Sequence, residues 1–234
     1  MRKLSRRSFL WAGASLIGGY AAYHFLGHAA ASDGQPVPLR RGLQLNEEVW
    51  HDLFSQAAMA PTFDESSISP PRQNGNYGLE SPLNLAEWRC RVEAPGITQE
   101  FDLDFFKSLP STEIVTQLCC IEGWKIVVKW KGVRFSEFFR QLETASSTAF
   151  VFLETPDREY FVGIDWASAM HPQTLLCYEM NGEPLSPPHG APLRLVIPTK
   201  YGIKNIKRIG LIRFTDERPK DYWAAEGYDW YAGL

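Results

Sequence analysis

Short apolar runs dominate the second two thirds of the chain. Residues 87–93, 112–118, 126–130, 149–153, 160–164, 175–180, 193–197 and 208–214 favour strands, and Gly, Pro, Asn and Asp punctuate the gaps between them. Helical spacing is rarer. Val49, Leu53 and Phe54 predict a short helix over 47–59, and Ser136 opens a helix-like run over 136–142 with Gly132 as the turn before it. Asp102 and Asp165 are placed to cap short helices over 102–108 and 165–170, and Thr155-Pro156-Asp157 joins the strand pair 149–153 and 160–164. Residues 32–44 are polar and proline-containing and predict a linker. Residues 61–82, with Pro61, Pro70, Pro71 and Pro82, predict an irregular segment longer than the ~15 residues that loops usually reach without a function. With no internal repeat and no shift of composition, the pattern predicts one strand-rich, mixed α+β domain over 85–234, preceded by a linker and irregular segment over 32–84.

Composition adds little until the chain is divided. The whole sequence is 44% apolar and carries a net charge of −3, as ordinary globular proteins do. Residues 1–31 hold Arg2, Lys3, Arg6 and Arg7 and no acid, so their removal leaves 20 basic residues against 27 acidic, a net of −7. That acidic body argues against nucleic-acid binding, which needs a basic surface to displace condensed counterions. The N-terminus itself runs from basic residues through a weakly apolar stretch over 9–25 to Ala29, Ala30 and Ala31, the order of an export signal with cleavage expected after Ala31. Ser5-Arg6-Arg7-Ser8-Phe9-Leu10 resembles the twin-arginine signal, which exports proteins already folded and so suits one that receives a complex cofactor in the cytoplasm. The expected location is periplasmic.

Four cysteines, Cys90, Cys119, Cys120 and Cys177, lack the spacing of a zinc knuckle or of a thioredoxin-like pair. Neighbours such as Cys119 and Cys120 rarely bridge each other, which leaves a Cys90–Cys177 disulfide or buried free thiols as the alternatives. Cys120 closes a predicted strand where a rigid element hands its side chain to a loop, and a thiolate there suits a soft transition metal as well as a buried core position.

The segment Cys120-Ile121-Glu122-Gly123-Trp124, followed by Val128-Lys129-Trp130-Lys131-Gly132-Val133, resembles the sulfite-oxidase superfamily of molybdopterin enzymes, in particular bacterial members similar to the periplasmic methionine sulfoxide reductase catalytic subunit. The resemblance continues in the family's order through Met170-His171-Pro172-Gln173, Asn181-Gly182-Glu183-Pro184, His189-Gly190-Ala191-Pro192-Leu193-Arg194 and Lys200-Tyr201-Gly202-Ile203-Lys204-Asn205-Ile206-Lys207. It implies the family's molybdopterin-binding fold and one molybdenum-molybdopterin per chain. It also implies Cys120 as the metal ligand and catalytic centre, with oxygen-atom transfer as the reaction.

By the same resemblance Asn74, Tyr77, Thr155, His189, Arg194, Asn205, Ile206 and Lys207 would bind the cofactor. Gly78 departs from the family's Glu after the Asn-x-x-Tyr element, and His189 stands where an amide is common. Chemistry agrees in part: His189, Arg194, Lys200, Lys204 and Lys207 gather cations in one window of an acidic chain, and Gly190 and Gly202 would let backbone amides approach a phosphate. His171 and Tyr201 are candidates near the substrate, although a structural His171 bonded to backbone is the favoured reading. The arginine-rich segment of animal and plant sulfite oxidases is absent after Cys120, which favours reduction of a sulfoxide or related S- or N-oxide over sulfite-type oxidation. Two other readings remain: a catalytically inactive exported binding domain, and a thiol hydrolase using Cys120 and His171, which requires a lowered thiol pKa. No haem-binding Cys-x-x-Cys-His occurs, so electrons would come from a separate protein, with a membrane haem subunit as the candidate.

Overall fold

A computed structural model describes residues 6–32, 35–55, 57–73, 75–142 and 148–234. Helix α1 (Arg6–His28) is followed by a minimal hairpin of β1 (Ala31–Ser32) and β2 (Gln35–Pro36), and then by α2 (Val37–Leu53). Among the described residues no helix is long and apolar enough to cross a membrane. Helix α2 corrects the linker expected over 32–44 and the later helix start at residue 47. Pro38 sits in its first turn, where a missing N–H costs nothing, and its buried residues are Arg40 and Glu47 rather than the apolar Val49 and Leu53 that suggested a helix.

The body holds two five-stranded sheets. One contains β5 (Ser111–Cys119), β6 (Lys125–Arg134), β9 (Leu175–Met180), β10 (Glu183–Pro184) and β11 (Arg194–Val196), in the order β10-β9-β6-β5 with β11 also paired to β9. The other contains β3 (Cys90–Ala94), β4 (Ile97–Phe101), β7 (Phe150–Glu154), β8 (Phe161–Asp165) and β12 (Leu211–Thr215), in the order β4-β3-β12-β7-β8. All of these pairs are antiparallel except β3 with β12. Short helices α3 (Leu103–Ser108), α4 (Phe135–Phe139), α5 (Trp166–Ala169) and α6 (Tyr222–Ala225) fill the connections. The caps expected at Asp102 and Asp165 are present, accepting from the N–H of Phe105 and Ser168.

The main core joins both sheets: Val133, Leu176 and Tyr178 from one meet Val92, Leu153, Val162, Ile164 and Ile212 from the other, with Phe106, Phe135 and Phe138 from α3 and α4. Alternation along β9 sends Leu176 and Tyr178 to this core and Leu175 and Cys177 to a second cluster around Val128 and Trp130, so both faces of the strand are buried. Cys90 and Cys177 are buried free thiols, not a disulfide.

Gly132 is not the turn its neighbours suggested. It lies inside β6 where the register with β9 shifts, and a Cβ there would stand 2.6 Å from the Cα of Cys177 and closer still to the Leu176 carbonyl. Gly132→Ala is therefore expected to lower stability by about 1–3 kcal/mol, seen as a fall in the urea midpoint with little change of slope. Strand β4 has no counterpart among the expected strands: its pattern Ile-Thr-Gln-Glu-Phe exposes three successive polar residues and buries none fully.

The irregular segment over 61–82 is anchored along the first sheet. Phe63 N–H donates to Val115, Ser69 N–H donates to Val127, and Thr62 bridges Thr116. It then reaches the end of β7, where Gly78 at φ +72° lies on Thr155 so closely that any side chain would collide with it.

Candidate functional site

Strand β5 ends at its Cys119–Lys125 pair, and the chain turns through residues 120–124 before β6. Cys120 N–H donates to Trp124 O at 2.9 Å and Gly123 N–H to Cys120 O at 3.0 Å, with Gly123 at φ +86° supplying the left-handed residue of the turn. This fixes Cys120, 7% exposed, in the wall of a cleft of about 260 Å³. Burial, reinforced by the Glu122 carboxylate, pushes its thiol up despite the Glu122 and Ile121 amides that favour the thiolate. A raised thiol does not fit a free nucleophilic cysteine, and His171 does not supply its base. That ring accepts from Gln173 N–H and pairs with Ala58 O, buried and structural as the favoured sequence reading had it.

The cleft assembles residues from distant parts of the chain. Gly75 and Tyr77 come from the irregular segment, and Tyr160 from just before β8. Gly202, Ile203, Asn205 and Lys207 follow β11, and Trp223 and Tyr228 come from the C-terminal segment. Tyr160 donates to Ile203 O at 2.5 Å, and its ring stacks with Tyr77 at 6.2 Å between centroids. Of the expected cofactor residues, Tyr77, Asn205 and Lys207 line the cleft together with Cys120. Asn74 lies outside the described residues.

The other expected positions behave differently. Ile206 is fully buried in the main core, so only its backbone can face a ligand. Thr155 lies beneath Gly78 with its hydroxyl donating to Asp157 and accepting from Tyr160 N–H, as the start of a turn would. The Asn205 side chain accepts from Ile197 N–H and donates to Tyr201 O, holding the loop that carries Lys207. Tyr201 itself does not line the cleft.

The basic window divides in two, which corrects the expectation that all of it faces an anion. Lys204 is buried against Asp221 and Lys200 against Asp165 and the Tyr231 carbonyl, so protein groups neutralise both. Gly190 also serves packing: at φ +101° it admits the Lys207 backbone, and its N–H donates to Pro187. Arg194 is the exception. It is 2% exposed, donates to the carbonyls of His189 and Asn205, stacks on Trp130, forms no ion pair among the described residues and leaves Nε buried without a hydrogen-bond partner. Burial pushes it down to about 10 and pushes Lys207 down to about 7, the Arg194 charge adding to the second shift. Burial and these two cations also hold His189 below the usual imidazole range.

A buried guanidinium lacking a carboxylate is costly, and an anion placed between Arg194 and Lys207 relieves both desolvation and repulsion. These residues therefore fit a phosphate-bearing cofactor, and Lys207 lines the same cleft as Cys120. Arg194→Gln is expected to weaken cofactor retention about 10–100-fold, from the ~1.5–3 kcal/mol of a charge-assisted hydrogen bond. Pterin released on acid denaturation of the purified protein measures it, and undiminished pterin would refute the assignment.

Sequence reasoning missed Tyr160, Glu122, Trp223 and Tyr228. The density of aromatic residues after β12, Tyr222, Trp223, Tyr228, Trp230 and Tyr231, was the available signal.

The domain family described as an oxidoreductase molybdopterin-binding domain matches residues 78–223. A putative protein-methionine-sulfoxide reductase subunit from Azospira oryzae is 35% identical over 185 residues, which cover 77% of this chain and 70% of that protein. A protein-methionine-sulfoxide reductase catalytic subunit from Xanthomonas axonopodis pv. citri is 36% identical over 159 residues, 60% of this chain and 49% of that protein, and one from Ralstonia nicotianae is 34% identical over 169 residues, 63% and 50%. The chain thus spans about half the length of these two catalytic subunits. Among solved structures, the sulfane dehydrogenase of Paracoccus pantotrophus superposes with a TM-score of 0.55 over 59% of this chain and 40% of that one, at 18% identity, which shows a shared fold.

Proposed function

From the premise that this chain belongs to the oxidoreductase molybdopterin-binding domain family, within the sulfite-oxidase superfamily, we propose that it reduces a sulfoxide, of methionine or a related S- or N-oxide, at a single molybdenum cofactor. The observation that carries the direction is the character of the cleft beside Cys120. The exposed carboxylate of Glu122 and the rings of Tyr77, Trp223 and Tyr228 line it, while the cations Arg194 and Lys207 are buried and suited to the cofactor. Anionic sulfite would meet the exposed Glu122 carboxylate, with Lys207 buried in the lining and Arg72 turned onto the Trp124 ring, whereas a neutral sulfoxide meets an apolar aromatic surface that carries phenol and indole donors.

When bound, the molybdenum cofactor supplies the oxygen-atom transfer. Its holders would be residues of this chain: Cys120 as the thiolate ligand, Arg194 and Lys207 for the phosphate, and His189, Tyr77 and the Asn205–Lys207 backbone for the pterin, with Asn74 assigned to it by the sequence alone. Trp124 Nε1 donates to Glu122 and Arg72 stacks on the same indole, so the carboxylate at the cleft mouth is held in place. The aromatic wall limits water and orients the substrate. Residues 1–31 serve as a twin-arginine export signal cleaved after Ala31, and a separate protein, of the membrane haem type, delivers electrons in the periplasm.

A substrate panel tests the reading. Cofactor-loaded protein, assayed in both directions with artificial electron carriers, is expected to reduce methionine sulfoxide, free or in a peptide, faster than it oxidises sulfite. Faster sulfite oxidation would overturn the direction, and loaded protein inert in both directions would leave a binding domain.

A further inference from the structure

Two pieces of the chain outside the 78–223 family match meet each other: helix α2, near the N-terminus, and the C-terminal segment that supplies Tyr228 and flanks Trp223. Arg40 and Glu47, seven residues apart and so on one face of α2, point into the protein and are 2% and 6% exposed. Arg40 donates to Ala224 O at 2.6 Å. Glu47 accepts from Trp230 N–H at 3.1 Å and pairs with Arg218. Asn46 bonds Asp229, and Gly227, at φ +94°, lies so close to Gln35 that a Cβ there would collide with it. The held segment is short, and Tyr228 N–H donates to Trp223 O at 2.9 Å, which ties the backbones that carry the two rings, 5.2 Å apart. Trp223 then meets Tyr77 at 5.8 Å across the cleft.

A buried charged pair is weak evidence for stability, and here each member holds a backbone group of the C-terminal segment, so its use is the placement of that segment. We propose that α2 is a clamp that sets the substrate-facing wall of the cleft, with Arg40 and Glu47 as positioning residues acting through Trp223 and Tyr228. The clamp rests on the functional reading only in that this wall receives the oxygen-donating substrate. Arg40 and Glu47 touch neither substrate nor cofactor. Their contribution is to hold the Ala224 carbonyl and the Trp230 amide, and with them the backbone between.

The test uses the full chain loaded with cofactor, and variants Arg40→Met, Glu47→Gln and Trp223→Leu, singly and as the Arg40→Met/Trp223→Leu pair. Arg40→Met is expected to raise KM for methionine sulfoxide about tenfold with kcat and pterin content within about twofold of the parent, since misplaced substrate contacts act mainly on binding. Trp223→Leu should raise KM by a similar factor, the double variant should add little to either single change, and Arg40→Lys should restore part of the loss. Amide exchange over residues 222–231 should accelerate in Arg40→Met and, to a smaller extent, in Glu47→Gln, which keeps an acceptor for Trp230. Unchanged exchange there overturns the clamp, whatever the substrate. Accelerated exchange with an unchanged KM overturns its positioning role. A parent protein that turns over no sulfoxide fails the functional reading instead, and the KM comparison then moves to the substrate that the panel identifies.

Discussion

Cys120→Ser is expected to abolish turnover and leave the fold intact. The turn that presents the side chain depends on the Cys120 amide and carbonyl and on Gly123, none of which the substitution touches, and the exchange of sulfur for oxygen barely changes volume. Chemically the change is large, because a serine hydroxyl remains protonated at any pH the protein survives and is a hard donor where a soft thiolate is needed. The loss should exceed the ~10–100-fold that follows removal of a mere outer partner of a metal site. Cys119→Ser is the matched control. Its side chain points to the other face of β5, beside Gln117, so activity should change little. Steady-state turnover together with circular dichroism and pterin content decides the matter, and near-parental activity in Cys120→Ser would remove the ligand assignment.

The largest expected loss of stability comes from Asp221→Ala. One oxygen of Asp221 caps α6 through Ala224 N–H, and the other accepts from Gly163 N–H and from Lys204 Nζ at 2.5 Å. Both partners of that ion pair are almost fully enclosed, at 2% or less of side-chain exposure. Removing the carboxylate strands the Lys204 charge between Gly163 O and the Trp230 ring, at a cost of about 3–5 kcal/mol, enough to unfold much of a domain whose total stability is of similar order. Asp221→Ala/Lys204→Met should recover a substantial part of this, since the charge left without a partner is then gone. Denaturant midpoints of the two variants give the comparison, and equal midpoints would show that the ion pair is not the cause.

These two sites also show how differently the sequence exposes its contents. Cys120 was legible because a strand pattern ends on it and because the residues around it form an ordered series of blocks. The caps at Asp102 and Asp165 were legible because capping is a local event, decided within four residues. Lys204 was visible too, but as one more cation in a basic window. Its partner, 17 residues away, turned an apparent anion-binding charge into a core ion pair. Helix α2 was misplaced for a related reason. Periodicity reads apolar residues as the inward face, and here Leu45, Val49 and Leu53 are exposed while Arg40 and Glu47 are buried, because the surface beneath the helix offers a carbonyl, an amide and an arginine rather than an apolar groove. Gly132 looked like a turn because local sequence carries no record of the strand that passes over it.

By itself, then, the sequence determined the strand-rich α+β class, the succession of most strands, the position of Cys120 and the set of blocks that mark a molybdopterin-binding domain, all of which depend on local pattern or on order along the chain. Only the tertiary structure decided that Lys200 and Lys204 are neutralised by Asp165 and Asp221, and only it brought Tyr77, Tyr160, Trp223 and Tyr228 around the cysteine. The reason is that charge compensation and cleft walls are pairings across the fold. Their partners lie 17 residues apart for Lys204 and Asp221 and farther for Lys200 and Asp165, at separations that no spacing rule encodes.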